Sequence, residues 1–371
     1  MSNNVNWSDL HSDVLQLILE RLNIITYVRT RTVCKNWYAV CKRITSVQEK
    51  SPWLIIFPAG RPKCGSCVVV DFSTVPLTGI YKFYSLHNLG DDFSTHRCIA
   101  TSGSWLLMLN PRSSLYVLNV FTRERIDLPQ LESHQGRLRI ERRQETTFII
   151  NKSLVTARNA INKTNAVLWV DEKTKRYIVV WSIGFFYMMY TRSGLDFWSE
   201  IPTREGPENL HGCQDIAFKD NKLYVLSRQN QIRILDFSQE LPLALANNVE
   251  HQPFTNERPW RVKIGVTVSG HVLMVKNRVG EGPKMLKILK RDPEGTSWDT
   301  VESLEGEAWI MDLGVTIPAV NWTKPNSVYI CKDKLVYLGD VSTRELRKVL
   351  DLNWDRRLSH ARWFFPSLRE L

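Results

Sequence analysis

Two cysteine pairs stand at spacings that chemistry can use. Cys34 and Cys41 flank Trp37 in the basic run VCKNWYAVCK, and Cys64 and Cys67 form a Cys-x-x-Cys unit. A structural zinc site needs four nitrogen or sulfur ligands, and neither pair has two more at comparable spacing nearby. A Cys-x-x-Cys redox centre depends on a thioredoxin-like βα setting, which the residues around Cys64 do not offer. The chain has no Gly-rich phosphate loop, no His-Glu-x-x-His and no Gly-x-Ser-x-Gly. Its eight histidines are spread singly. Pairing Asp171 with Glu172, or Glu302 with Glu305, as acid and base would be arbitrary. These patterns predict no catalytic site, no metal and no cofactor, and give both cysteines of the first pair a packing role beside Trp37.

Composition narrows the class further. At 371 residues, 43% hydrophobic and 23% charged, the chain reads as a soluble globular protein of one large domain or two to three ordinary ones. Seven scattered cysteines, an odd number, indicate reduced thiols and an intracellular setting, in the nucleus or cytoplasm. The N-terminus has no secretory pattern. The longest apolar stretch, YIVVWSIGFFYMMY at 177–190, is too short to span a bilayer and reads as two β-strands joined by a turn. A net charge of +11 and a pI near 9.3 favour an acidic partner. The excess is diffuse. Its densest cluster, Arg137, Arg139, Arg142 and Arg143, lacks interleaved aromatics, so a solvated loop or edge is favoured over a nucleic-acid groove.

The elements that must carry any function change period along the chain. Over residues 9–45, Leu15, Ile18, Leu19 and Leu22 recur at helical spacing, with Ser12 or Asp13 as cap and Asn23 as stop. A second helix is expected around Thr26 to Thr32. A third would place Val33, Trp37, Val40, Cys41 and Ile44 on one face and Lys35, Asn36, Lys42 and Arg43 on the other. So small a three-helix module buries little area alone and needs another surface against its apolar stripe. From Trp53 onward the period is two, in runs such as WLIIF, CVVVDF, WLLMLN, KLYVLS, HVLMVKN and KLVYLGD. Four unit endings, FTRERIDLPQL (121–131), SGLDFWSEIP (193–202), EGTSWDTVESL (294–304) and VSTRELRKVLDL (341–352), each put a turn before a strand. Repeated four-stranded units predict an all-β domain built as a β-propeller of about six blades, with a pair of β-sandwiches as the alternative. Its closing unit would join strands near residues 66–85 to the C-terminal RWFFPSL. The expected organisation is 1–47 helical, 48–65 linker on account of its prolines and glycines, and 66–371 propeller.

The helical segment resembles an F-box, through Leu10, Asp13, Leu15, Ile18, Leu22, Arg29, Val33, Cys34 and Trp37, with His11 where that family usually has proline. The remainder is similar to plant F-box proteins with a KIB-type β-propeller, through Ser51–Pro58, Asn110–Pro129 and Trp363–Leu368. The resemblance implies a non-catalytic substrate receptor of a cullin-RING (SCF) ubiquitin ligase. Its F-box would dock on a Skp-type adaptor, through it on a cullin-RING scaffold, and its propeller would hold an unidentified target protein. Leu10, Val14, Leu15, Ile18, Leu22, Val33, Cys34 and Trp37 would line the adaptor face or hold it in shape. The other reading left open is a binding module or adaptor-competing scaffold without ubiquitylation, with an acidic or nucleic-acid ligand.

Overall fold

The computed structural model describes residues 7–20, 22, 24–43, 52–59, 64–72, 81–136, 138–144, 147–150, 153–156, 164–184, 187–201, 212–227, 231–245, 261–277, 286–292, 297–319, 323–332, 334–353, 355–356 and 358–366. The helical region holds α1 (Ser12–Leu19), α2 (Ile24–Thr30) and α3 (Lys35–Arg43). His11 is the N-cap of α1, with φ −59° and a side chain that accepts the Asp13 N–H. The cap therefore falls one residue ahead of the Ser12 or Asp13 expected from side-chain type, because an imidazole nitrogen can serve as the acceptor in place of a hydroxyl or carboxylate. Ile44 and Asn23 lie outside the described residues.

Beyond α3 the described residues are organised as β-strands with short turns and 3-10 segments. It runs through β1 (Trp53–Pro58), β2 (Cys67–Asp71) and β3 (Lys82–Leu86), then β4 (Arg97–Ser102), β5 (Trp105–Leu109), β6 (Leu115–Asn119) and β7 (Arg125–Asp127). A three-stranded insertion follows, β8 (Ile140–Gln144), β9 (Thr147–Ile150) and β10 (Ser153–Thr156). Next come β11 (Thr164–Val170), β12 (Tyr177–Ile183), β13 (Tyr187–Arg192) and β14 (Ser199–Ile201), then β15 (Cys213–Lys219), β16 (Lys222–Ser227), β17 (Ile232–Asp236) and β18 (Leu243–Leu245). The last part holds β19 (Arg261–Val266), β20 (Val272–Asn277), β21 (Leu286–Arg291) and β22 (Trp298–Thr300), the pair β23 (Glu307–Ile310) and β24 (Val315–Pro318), then β25 (Ser327–Lys332), β26 (Leu335–Asp340), β27 (Leu346–Asp351) and β28 (Leu358–Phe364).

Three of these groups, β4–β7, β11–β14 and β15–β18, are four-stranded antiparallel meanders. β19–β22 and β25–β27 are meanders too, but the β23–β24 hairpin joins them into one nine-stranded sheet, β24 bridging β19 through Val266 and Val315 and β23 running parallel to β25. The four unit endings read from sequence are the outer strands β7, β14, β22 and β27, and YIVVWSIGFFYMMY is the pair β12 and β13.

The closing sheet is ordered β28, β1, β2, β3. Trp53–Pro58, inside the stretch 48–65 read as linker, is therefore an inner strand: Leu54 pairs with Trp363 on one side and Val70 on the other. Its run WLIIF is continuous rather than alternating because both faces are covered, and every residue from Trp53 to Phe57 is buried. Pro52 and Pro58, with Gly60 and Pro62 following in sequence, mark the ends of the strand rather than a linker through it.

The first strands meet in a circle, β28 against β4, β4 against β11, β11 against β15, β15 against β19, and β25 back against β28. Apolar clusters fill the spaces between successive sheets, for example Trp105 with Trp181 and Trp198 between β4–β7 and β11–β14, to which Phe148 and Ile150 of the insertion add. This is the propeller-like arrangement in which closure removes most exposed edges. Hairpins recur with one local device. Asn119, Asp171 and Asp340 each accept backbone N–H groups two residues on, while Arg123, Lys175 and Arg344 take positive φ. Asx turns of this kind fix the turn without a glycine.

Candidate functional site

The helical region builds its own core from Leu15, Leu19, Tyr27, Trp37, Val40 and Cys41, with Leu10, Leu22 and Cys34 packed against it. Three hydrogen bonds tie the incoming chain to α3: Trp37 Nε1 to the Trp7 carbonyl at 2.9 Å, and Asn36 Nδ2 to the carbonyls of Ser8 at 3.1 Å and Leu10 at 3.0 Å. The Tyr27 hydroxyl donates to the Cys41 carbonyl at 2.8 Å, joining α2 to α3, and burial pushes its pKa up to about 12. Cys34 and Cys41 are both free thiols, one half-buried and one buried, as the packing reading expects.

The eight residues singled out from sequence fall into two groups. Leu15 and Trp37 are buried, and Leu10, Leu22 and Cys34 are partly buried on the same cluster; they hold the module's shape. Ile18 is half-buried. Val14 and Val33 face solvent, at 47% and 55% exposure. Val33 does not continue the apolar stripe of α3, as the period suggested, because it lies in the turn before the helix begins at Lys35.

Sequence reasoning missed Leu17, 57% exposed, along with the exposed aromatics Trp7 and Tyr38. The signal was present, since Val14 and Leu17 sit at i and i+3 on α1, turned away from Leu15 and Leu19, with the half-buried Ile18 between the two sides. A helix apolar on both sides is fit to be covered on both. Covering a Val or Leu side chain contributes roughly 1.5–3 kcal/mol, so the outward stripe can supply binding energy to a partner. On α3 the exposed Tyr38 ring carries two cations, Arg31 at 5.4 Å and Lys42 at 4.9 Å from its centroid, and the hydrogen bond from Lys42 holds the Tyr38 hydroxyl pKa below its ordinary value.

Cys67 is buried and its thiol pKa is pushed up by desolvation, the opposite of a redox-active thiolate. Among the described residues no three His, Cys, Asp or Glu side chains are grouped to hold a metal. Arg142, from the basic cluster, is on the edge strand β8, pairs with Glu132 and lies 4.4 Å from the Phe148 ring. Arg137 falls outside the described residues. No helix among the described residues is long and apolar enough to cross a membrane.

The F-box domain family matches residues 7–47, which contain the helical region with its internal core and outward apolar residues. The KIB1-4 beta-propeller family matches residues 72–351. The chain belongs to the F-box proteins that carry a KIB1-4 β-propeller. A probable F-box protein of Arabidopsis thaliana is 31% identical, covering 100% of this chain and 98% of its own length. The Arabidopsis F-box/kelch-repeat protein KIB1 is 36% identical over 88% of this chain and 78% of its own, and the F-box protein KIB4 is 31% identical over 96% and 94%. F-box domains imply binding to a Skp1-type adaptor, and F-box proteins are typically non-catalytic subunits of SCF ligases.

Proposed function

We propose that this chain is the substrate-recognition subunit of an SCF ubiquitin ligase. Its helical region, through residue 47, docks on a Skp-type adaptor and so on a cullin-RING scaffold. Its propeller, beginning at β1 and counting six blades led by β28, β4, β11, β15, β19 and the β23–β25 group, binds the protein to be ubiquitylated. The observation that carries the reading is the two-sided α1, whose Leu15 and Leu19 are buried while Val14 and Leu17 face solvent. A helix-in-groove contact is the recognition mode such a stripe fits. Of the eight sequence-derived positions, Val14, Ile18 and the exposed Val33 would touch the adaptor, joined by Leu17, while Leu10, Leu15, Leu22, Cys34 and Trp37 hold the surface in shape.

The test is co-purification of the full chain with a Skp-type adaptor, wild type against Ile18→Glu, followed by affinity purification under proteasome inhibition to recover ubiquitylated targets. Capture of the adaptor by the wild type and its loss in the variant support the reading. Failure of the wild type to bind any Skp-type adaptor overturns it.

A further inference from the structure

The centre of the ring holds a carboxylate that is short of partners. Between β23 and β24 the chain makes a 3-10 turn, Met311–Leu313, which Gly314 ends in the left-handed region at φ 65°. A Cβ at Gly314 would stand 2.8 Å from the Ala217 Cβ, so the turn can seat against β15 only with glycine there. The turn packs against β4, β19, β25 and β28, which carries Asp312 to the meeting point of the inner strands.

There the Asp312 carboxylate accepts the Trp363 N–H and faces Lys263 from β19, Arg362 from β28 and Asp215 from β15. Cys98 of β4 is also within electrostatic reach, and Arg97 of β4 and His360 of β28 stand beside Arg362. From β25, the Tyr329 hydroxyl is turned to the Lys324 N–H at 3.2 Å. Lys263 is committed elsewhere, since its Nζ donates to Asp215 Oδ1 at 2.7 Å, while the Ile264 N–H satisfies Asp215 Oδ2 at 2.8 Å. Asp215 thus has both oxygens engaged. Asp312 does not: although the residue is only half-buried as a whole, its Oδ2 is buried and has no hydrogen-bond partner among the described residues.

A buried anionic oxygen without a donor is costly, and a protonated one removes the charge. We propose that Asp312 is a proton-binding clasp of the closed ring, in which uptake of one proton at Oδ2 tightens the seam between the Met311–Leu313 turn and the closing strand β28. The carboxylate gains a proton from solvent and becomes the neutral acid, while Trp363 keeps its hydrogen bond to the other oxygen.

Desolvation agrees with this, raising the Asp312 pKa from 3.8 to about 6 against the opposite pull of Arg362 and Lys263. With the folded-state value raised, the native state binds the proton more tightly than the unfolded chain. The stabilisation is fully present below 3.8 and is lost as pH rises through about 6.

The experiment compares thermal unfolding of the full chain and Asp312→Asn between about pH 5 and pH 8. The variant should melt above the wild type at the alkaline end, and the gap should narrow steadily toward the acidic end. Parallel profiles, or a variant that melts lower at the alkaline end, would overturn the proposal, the latter making the ionised carboxylate a stabilising partner of Arg362. Hydrogen exchange of residues 358–366, corrected for intrinsic rates, gives a second readout when wild type and variant are compared, because the buried neutral His360 acts equally in both. The variant's extra protection should shrink as pH falls over the same range, and a pH-independent difference contradicts the clasp.

Discussion

Trp37 Nε1 donates a 2.9 Å hydrogen bond to the carbonyl of Trp7, so the buried tryptophan of α3 also fixes the path of the chain into α1. Two losses can therefore be separated at one position. Trp37→Phe keeps most of the ring and gives up the hydrogen bond, at about 1 kcal/mol. Trp37→Ala removes the core side chain as well and should cost about 3–5 kcal/mol. Urea denaturation followed by the helical circular dichroism signal should order the two in that way.

His11 occupies the N-cap with φ −59°, within the range a proline ring imposes. Its side chain accepts the Asp13 N–H only at a long 3.4 Å. His11→Ala should cost about 0.5 kcal/mol, the low end for a cap. His11→Pro should be tolerated and should stabilise the module by about 0.4–1 kcal/mol through the unfolded state. A thermal melt of the three proteins checks the order Pro, His, Ala.

Gly265 lies under the Trp309 indole: a Cβ there would sit 2.4 Å from Trp309 Cε2 and Cζ2. Trp309 is fully buried and cannot swing aside without moving the β23–β24 hairpin. Gly265→Ala should destabilise by about 1–3 kcal/mol as an overpacking change, read from the denaturation midpoint. Gly270 has open space around its Cβ position but φ +90°, so any cost there would come from the backbone rather than a clash.

β28 is the first strand of the closing sheet and pairs with β1 from Trp53↔Phe364 to Pro58↔Leu358. Removing residues 358–371 would expose Leu54 and Ile56 and take away the fully buried Trp363 and Phe364. The truncated chain should fail to close, visible as rapid limited proteolysis of the β region under conditions where the full chain resists.

The β architecture was legible where sequence carries its own period. WLLMLN, KLYVLS and HVLMVKN became β5, β16 and β20, and the turn-plus-strand endings became the outer strands, because Asx turns and buried runs are local effects. Closure was harder. That β1 sits between β2 and β28 depends on a pairing across some 300 positions of chain, for which Trp53–Pro58 carries no local mark. The docking surface was half legible. Leu15 and Trp37 stood out as apolar and periodic, yet periodicity selects the buried face first, so the outward stripe at Leu17 was passed over. The packing of the Met311–Leu313 turn against β4, β19, β25 and β28, which places Asp312, has no sequence signature.

If α1 presents a second, outward apolar face to a Skp-type adaptor, adaptor affinity of surface against core variants measures it directly. Leu17→Glu, 57% exposed in the wild type, should leave thermal stability within about 0.5 kcal/mol while weakening adaptor binding by about 2 kcal/mol or more, roughly 30-fold in Kd. An unchanged Kd for Leu17→Glu, or no measurable adaptor binding by the wild type, would contradict the account.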